Sequence, residues 1–244
     1  MRVESERTMN FRGKNLSRPF VVALAAMTLA GCAAAPSRVD PFEPVNRAAY
    51  QFNDAIDTAV VRPAVQAYVD VVPLPIRTGV SNFYNNIEDL FSAFNGLLQG
   101  KPDKAGHDLG RVILNTGFGL GGIFDLASEM GIERGNEDFG QTFGVWGAAQ
   151  GPYLFIPFLG PTTVRDGTGL LVRLSVGPIS YIHNVRLRNG VYVMNAVDLR
   201  AQALGAGAMV ETAALDRYLF IRNAYLQRRR FLVYDGKPPP ETEE

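Results

Sequence analysis

Prolines at positions 44, 63, 73, 75 and 102 punctuate apolar stretches of helical period. A proline inside a helix removes one backbone hydrogen bond, clashes with the preceding turn and biases the residue before it away from helix. In the first turn it is harmless, so Pro44 and Pro63 read as helix openings. Val45, Ala48, Ala49, Phe52, Ile56 and Val60 follow at helical spacing until Arg62-Pro63 interrupts them, and Val65, Tyr68 and Val69 line a short second piece. Val71 to Pro75 is a proline break. Ile76, Val80, Phe83 and Ile87 then give a third stripe, and Leu90, Phe91, Phe94, Leu97 and Leu98 carry apolar character on to Gly100, which suits the residue just past a helix end. Such a chain predicts many short helices whose axes turn at each break, so that it curves and does not form a straight bundle.

A longer helix is expected from Pro102 to Asn115. Glycine then takes over, with thirteen of the 25 glycines between Gly117 and Gly169. Close backbone packing and backbone that must flex or approach a ligand both produce that density. Tyr153 to Phe158, bounded by Gly151-Pro152 and Gly160-Pro161, is the candidate for a hairpin, and Pro157 argues against an interior strand. Helices are expected again over 164–176, 185–204 and 209–234. In the last, Val210, Ala214, Tyr218, Ile221 and Tyr225 mark one face, with Arg217, Arg222 and Arg228-Arg229-Arg230 largely elsewhere. The expected fold class is mainly α, one domain of many short helices with room for one short hairpin.

The N-terminus is of another kind. Pro19 to Ala30 is nearly unbroken apolar sequence behind Arg12, Lys14 and Arg18, too short for a spanning helix of ~20 residues and suited to a signal peptide. It closes on Leu29-Ala30-Gly31-Cys32, and Cys32 is the only cysteine, so no intramolecular disulfide exists for it. The four residues resemble a bacterial lipobox, which makes Cys32 the first mature residue and its sulfur and amine the carriers of diacylglycerol and an N-acyl chain. At ~0.8 kcal/mol per buried methylene, three chains anchor a protein effectively permanently. Met9 competes with Met1 as the start. Ala33, where an Asp would mark inner-membrane retention, points to the outer membrane. The expected layout is a signal peptide 1–31, a lipidated tether 32–39, a helical domain 40–236 and a disordered tail 237–244. Without the leader the chain carries 19 basic and 22 acidic side chains, which argues against nucleic acid as a partner. After the leader no apolar run of 18 residues remains uninterrupted, so no bundle of spanning helices is expected.

No motif asks for catalysis. His107 and His183 have no partner at metal-ligand spacing, no nucleophile elbow or P-loop occurs, and Gly117 to Gly122 follows a helix pattern where a dinucleotide loop would follow a strand. Glu88-Asp89 and Glu137-Asp138 read as solvated acids. No cofactor is expected beyond the lipid on Cys32.

Beginning at Asp40-Pro41-Phe42-Glu43-Pro44-Val45-Asn46-Arg47, the sequence resembles the VacJ/MlaA lipoproteins. The likeness continues through Pro73-Leu74-Pro75-Ile76-Arg77, Leu98-Gln99-Gly100-Lys101-Pro102, Arg111 with Asn115-Thr116, and Gly121-Gly122-Ile123-Phe124-Asp125. It is densest over Phe139-Gly140-Gln141-Thr142-Phe143-Gly144, Trp146-Gly147, Gly151-Pro152-Tyr153-Leu154 and Arg165-Asp166. The resemblance implies a ring-like helical disc embedded in the inner leaflet of the outer membrane (monotopic), with an amphipathic channel. That channel would admit phospholipids misplaced in the outer leaflet and pass them to a soluble periplasmic carrier. It also implies association with a trimeric porin and no enzymatic activity.

On that reading the expected channel or headgroup contacts are Arg111, Asn115, Thr116, Asp125, Arg165 and Asp166, with scaffold pairing as the alternative for Arg165 and Asp166. Gly117, Gly119, Gly121 and Gly122 are expected as a gate or hinge, or else as a site of tight helix packing. Tyr153 to Phe158 either meets lipid or porin or is buried in the core, and Arg228 to Arg230 form a solvated, headgroup-facing or carrier-docking side. After the leader the chain holds 16 Arg and three Lys, and Arg's planar fork suits phosphate, although codon bias explains the same ratio. A lipoprotein that scaffolds envelope partners without moving lipid is the competing reading, and a lipid-modifying enzyme the third.

Overall fold

The computed structural model describes residues 40–240. The signal peptide, Cys32, the rest of the tether and the last four residues lie outside the described residues. A compact helical unit begins at Phe42, and Pro44 sits in the first turn of its first helix, α1 (Glu43–Ile56). The expected interruption at Arg62-Pro63 does not occur. A π-helical turn, Asp57–Val61, runs without a loop into α2 (Arg62–Val71). The Arg62 N–H bonds the Asp57 carbonyl five residues back, and this widened turn absorbs the donor that Pro63 lacks.

A second difference follows at Pro73. The two apolar stripes expected as separate short helices form one helix of 25 residues, α3 (Leu74–Leu98), because no proline after Pro75 breaks the ladder. It ends as expected at Gly100, whose φ of 70° lets the Lys101 N–H reach the Gly96 carbonyl at 2.8 Å and its own N–H reach the Leu97 carbonyl at 3.0 Å. α4 (Pro102–Gly117) turns back along α3. Gly96 permits that contact, since a Cβ there would lie 3.2 Å from the Ala105 nitrogen.

Two short helices follow, each started by an aspartate: α5 (Leu126–Glu129) by Asp125, which accepts from the Ser128 N–H, and α6 (Phe139–Val145) by Asp138, which accepts from the Gln141 N–H. The hairpin is present as β1 (Tyr153–Ile156) and β2 (Gly160–Thr163), with Phe155 opposite Pro161. α7 (Val164–Val176), a 3₁₀ turn (Pro178–Tyr181), α8 (Val185–Gln202), α9 (Leu204–Ala213) and α10 (Arg217–Val233) complete the unit. The single helix expected over 209–234 is two, because the Asp216 side chain accepts the Leu219 N–H and opens a new helix there.

The polarity of this unit is inverted. Among the described residues seventeen polar or charged residues are buried against twelve apolar ones. On α3 the buried face carries Asn86, Asp89, Ser92 and Asn95. The outer face carries Ile76, Phe83, Leu90, Phe94 and Leu97, all exposed. α1 repeats the pattern, with Asn46 buried and Val45, Phe52 and, in the adjoining π turn, Val60 exposed. The apolar core is small: Tyr153, Phe155 and Tyr218, with Tyr50 edge-on to Phe155 at 5.5 Å between ring centroids. No described helix is long and apolar enough to cross a membrane.

Candidate functional site

The expected contact residues fall into two separate networks. In the first, Arg111 of α4 is 1% exposed and every one of its donors is committed. Its Nε donates to Asp89 Oδ2 at 2.9 Å, Nη1 to Ser128 Oγ and the Ile132 carbonyl, and Nη2 to both Asp125 oxygens at 3.0 Å. Asn115 donates to Asp125 Oδ1 at 2.9 Å and accepts from the Ala127 N–H at 3.0 Å. Burial works to raise the Asp125 carboxyl, and hydrogen bonds from Ser128, Asn115 and Arg111 outweigh it and hold the group at about 2. With five donors taken, Arg111 has none left for a lipid phosphate, and the cluster fixes the turn between α4 and α5. Arg111, Asn115 and Asp125, expected at a headgroup, here bond one another and the turn around them.

Thr116 is exposed and accepts from Asn86 Nδ2 at 2.8 Å. The glycines beyond it make a packed turn. A Cβ on Gly119 would lie 2.2 Å from the Phe124 carbonyl, and one on Gly122 would lie 2.7 Å from the Asn86 side chain. Gly121 supplies a φ of 71°, while Gly117 faces open space. Close approach therefore accounts for Gly119 and Gly122, and a left-handed backbone for Gly121.

The second network borders a cavity. A space of about 450 Å³ lies among α3, α6, the hairpin, α7, α8 and α10. Its apolar wall includes Ile156, Leu159, Leu170 and Leu199, and its polar wall Glu88, Asp138, Asp166, Arg173 and Arg229. A second cavity of about 380 Å³ shares Asn85, Glu88, Asp138, Tyr225 and Arg229 with it and adds Arg134 and Arg228. The two adjoin at these shared residues as one passage, whose first part is walled by both apolar and charged groups and whose second is walled mostly by polar and charged ones.

Of the expected contacts, only Asp166 lines this passage. It is gripped by Arg229 through Nε and Nη2, each at 3.0 Å, and accepts the Tyr225 hydroxyl at 2.9 Å. Arg165 folds back on it, with Nε at 3.1 Å. Arg229 also donates to Asp138 through Nη1 and Nη2. Burial works to raise the Asp138 carboxyl and the Arg229 fork more than offsets it, leaving the group below the usual carboxylate range. Burial, reinforced by the Asp166 charge, pushes the Tyr225 hydroxyl up, so it stays a donor.

Arg229 corrects the expectation that Arg228 to Arg230 share one solvated side: it is 8% exposed. The paired acids are corrected too. Asp89 holds Arg111 and Arg134, Glu137 holds Lys101 and Lys104, and Glu88 holds Arg173, whose guanidinium also lies 5.3 Å from the centroid of the Phe91 ring. Nothing in the sequence singled out Arg173, and Asp138 and Arg229 read as surface groups. For Arg229 a signal existed, since Tyr218, Tyr225, Arg229 and Val233 recur at seven, four and four residues and so share one helix face. The Tyr153 to Phe158 segment divides, with Tyr153 and Phe155 in the core, Ile156 on the passage, and Phe158 77% exposed.

Known proteins resemble this chain along nearly its whole length. The family model for MlaA lipoproteins matches residues 38–232. The intermembrane phospholipid transport system lipoproteins MlaA of Shigella flexneri and Escherichia coli (strain K12) are each 33% identical over 228 residues, which cover 90% of this chain and 90% of theirs. Their counterpart in Haemophilus influenzae is 34% identical over 233 residues, 88% of this chain and 89% of its own. A solved chain, presented as the structural basis for maintenance of bacterial outer membrane lipid asymmetry, superposes with a TM-score of 0.72 at 34% identity. It covers 80% of this chain and 100% of that one.

Proposed function

Because this chain belongs to the MlaA lipoprotein family, we propose that it takes phospholipids misplaced in the outer leaflet of the outer membrane and moves them through its passage towards the periplasm. A soluble periplasmic carrier receives them there, a trimeric porin is its membrane partner, and lipid chains on Cys32 anchor it. It makes and breaks no bonds in its cargo.

The observation that carries this reading is the passage with apolar and charged walls inside a unit of inverted polarity. A phospholipid crossing between leaflets must bring its phosphate past hydrocarbon, where an unpaired charge is prohibitive. The buried ion pair Arg229–Asp166 and the part-exposed pair Arg229–Asp138 offer a polar wall in which each charge already has its partner. Acyl chains lie against Ile156, Leu159, Leu170 and Leu199. The exposed apolar faces of α1 and α3 support immersion in lipid, because water would leave Phe52, Phe94 and Leu97 uncovered.

Outer-leaflet phospholipid in cells lacking the protein, read with a membrane-impermeant amine-reactive label, tests this. Labelling rises on deletion, and wild type restores it where Cys32→Ala does not. Unchanged labelling on deletion overturns the transfer reading in favour of a scaffold.

A further inference from the structure

The passage has four arginines in its walls, and three of them are held. Arg173 is paired with Glu88, Arg134 with Asp89 and the Asn85 carbonyl, and Arg229 with Asp138 and Asp166. Arg228 is different: it lines the second cavity, is exposed, and makes no hydrogen bond or ion pair among the described residues. Around it stand two carboxylates that are paired and still open. Glu88 and Asp138 each line both cavities, with 40% and 42% of their side chains exposed.

We propose that the charged end of the passage is a docking station for the headgroup of a zwitterionic phospholipid, with its phosphodiester on Arg228 and its ammonium turned towards Glu88 and Asp138. The station rests on the lipid-transfer reading above. A free guanidinium offers a planar fork to two phosphate oxygens, and no other arginine of the passage can turn to a ligand without abandoning a carboxylate. The neighbouring charges set the preference among headgroups. A phosphodiester that carries its own ammonium meets Arg228 with its anion and the open carboxylate edges with its cation. A purely anionic headgroup makes the same contact with Arg228 but has no cation to set against the open edges of Glu88 and Asp138. The acyl chains then extend along Leu170 and Leu199 in the adjoining cavity, so headgroup and chains are held in their matching halves of one passage.

Inorganic phosphate shares the anion chemistry, and the test separates the two sources. The purified full chain in nanodiscs is titrated with fluorescent phosphatidylethanolamine and, separately, phosphatidylglycerol, with millimolar inorganic phosphate as competitor. Wild type is compared with Arg228→Gln, Arg228→Lys and Leu170→Trp, each checked for an unchanged helical signal and thermal midpoint. Arg228→Gln is expected to weaken phosphatidylethanolamine binding about tenfold or more, the loss of one charge-assisted contact, and Arg228→Lys to recover part of it. Wild type binds phosphatidylglycerol more weakly, and phosphate displaces neither. Binding by Arg228→Gln at the wild-type level, with Leu170→Trp impaired, overturns the station and leaves the passage as the lipid path. Equal binding by wild type and Leu170→Trp puts the lipid elsewhere and removes the path itself. Displacement by inorganic phosphate overturns the lipid assignment, and equal affinity for the two lipids overturns the zwitterionic preference.

Discussion

Arg229 holds Asp166 by two donors, Nε to Oδ2 and Nη2 to Oδ1, each at 3.0 Å. Both side chains are at least nine-tenths buried, and Arg229 reaches Asp138 as well. Replacing it leaves Asp138 without its cation and Asp166 with Arg165 alone. Arg229→Ala is therefore expected to cost about 3–5 kcal/mol of unfolding free energy, the range for breaking one side of a buried pair. Arg229→Lys recovers little, since one ammonium cannot reproduce a fork shared between two acids. Denaturant titration of the protein in detergent measures both.

Gly169 keeps that wall closed. A Cβ there would come within 2.5 Å of the Gly140 nitrogen, and one on Gly140 would meet Asp166 Oδ1 at the same distance. Backbone, not a flexible side chain, blocks the first of these, so α6 and α7 must part to admit a methyl. Gly169→Ala is expected to cost about 1–3 kcal/mol. Thermal unfolding of the variant beside the neighbouring change Gly167→Ala checks it, because a Cβ on Gly167 would make only ordinary contact with Thr162.

Asp125 gives acid sensitivity a definite window. Its carboxyl lies at about 2 in the folded chain against an ordinary value of 3.8. A folded value below the unfolded one means that the stabilisation is complete above pH 3.8 and disappears as pH falls through about 2. That depression corresponds to about 2 kcal/mol. Between pH 4 and pH 2 the thermal midpoint of wild type should fall more steeply than that of Asp125→Asn, which has no proton to take up; parallel curves would remove Asp125 as a source of the slope.

The hairpin has an outer edge, and α1 covers it with two asparagines seven residues apart. Asn46 donates to the Tyr153 carbonyl at 3.1 Å and accepts the Phe155 N–H at 2.9 Å. Asn53 does the same for Ile156 and Phe158, at 3.3 and 2.9 Å. Each carboxamide thus stands in for a neighbouring strand on an otherwise unpaired edge. It also explains Pro161, which opposes Phe155 at a position where the ladder asks for no donor. Asn46→Ala orphans a buried donor and a buried acceptor and is expected to cost about 1–3 kcal/mol, with loss of hydrogen-exchange protection at the Phe155 amide. Asn53→Ala costs less, because Phe158 is at the surface.

Helix boundaries were legible where proline or glycine acts locally, as at Pro44, Pro102 and Gly100, but not where an aspartate opens a helix, as at Asp125, Asp138 and Asp216, and the hairpin was legible from its flanking Gly-Pro pairs. Periodicity found the stripes of α1 and α3 but not their direction, since a period of 3.6 says that one face is apolar and nothing about which medium it meets. The rule that apolar faces turn inward fails here. Networks between distant segments were out of reach: nothing near Arg111 in sequence announces that Asp89, Asp125 and the Ile132 carbonyl will take all its donors. The passage itself draws on six elements that only the fold brings together.

The outward stripe of α3 carries a last consequence. Ile76, Phe94 and Leu97 are 58%, 51% and 64% exposed, so changing them removes little packing within the chain, and surface changes of this kind stay within about ±0.5 kcal/mol. In a membrane the same side chains are covered. Fully burying a large apolar side chain is worth about 1.5–3 kcal/mol, and half of that for each of three residues is well over a tenfold change in partition. The triple variant Ile76→Gln, Phe94→Gln, Leu97→Gln, made in a Cys32→Ala background so that no acyl anchor masks the effect, should keep its thermal midpoint in detergent. Its recovery with sedimented phospholipid vesicles should fall at least tenfold. Equal sedimentation of the variant and its parent would mean that the stripe faces something other than lipid, and a second protein laid along α3 would then be its natural cover.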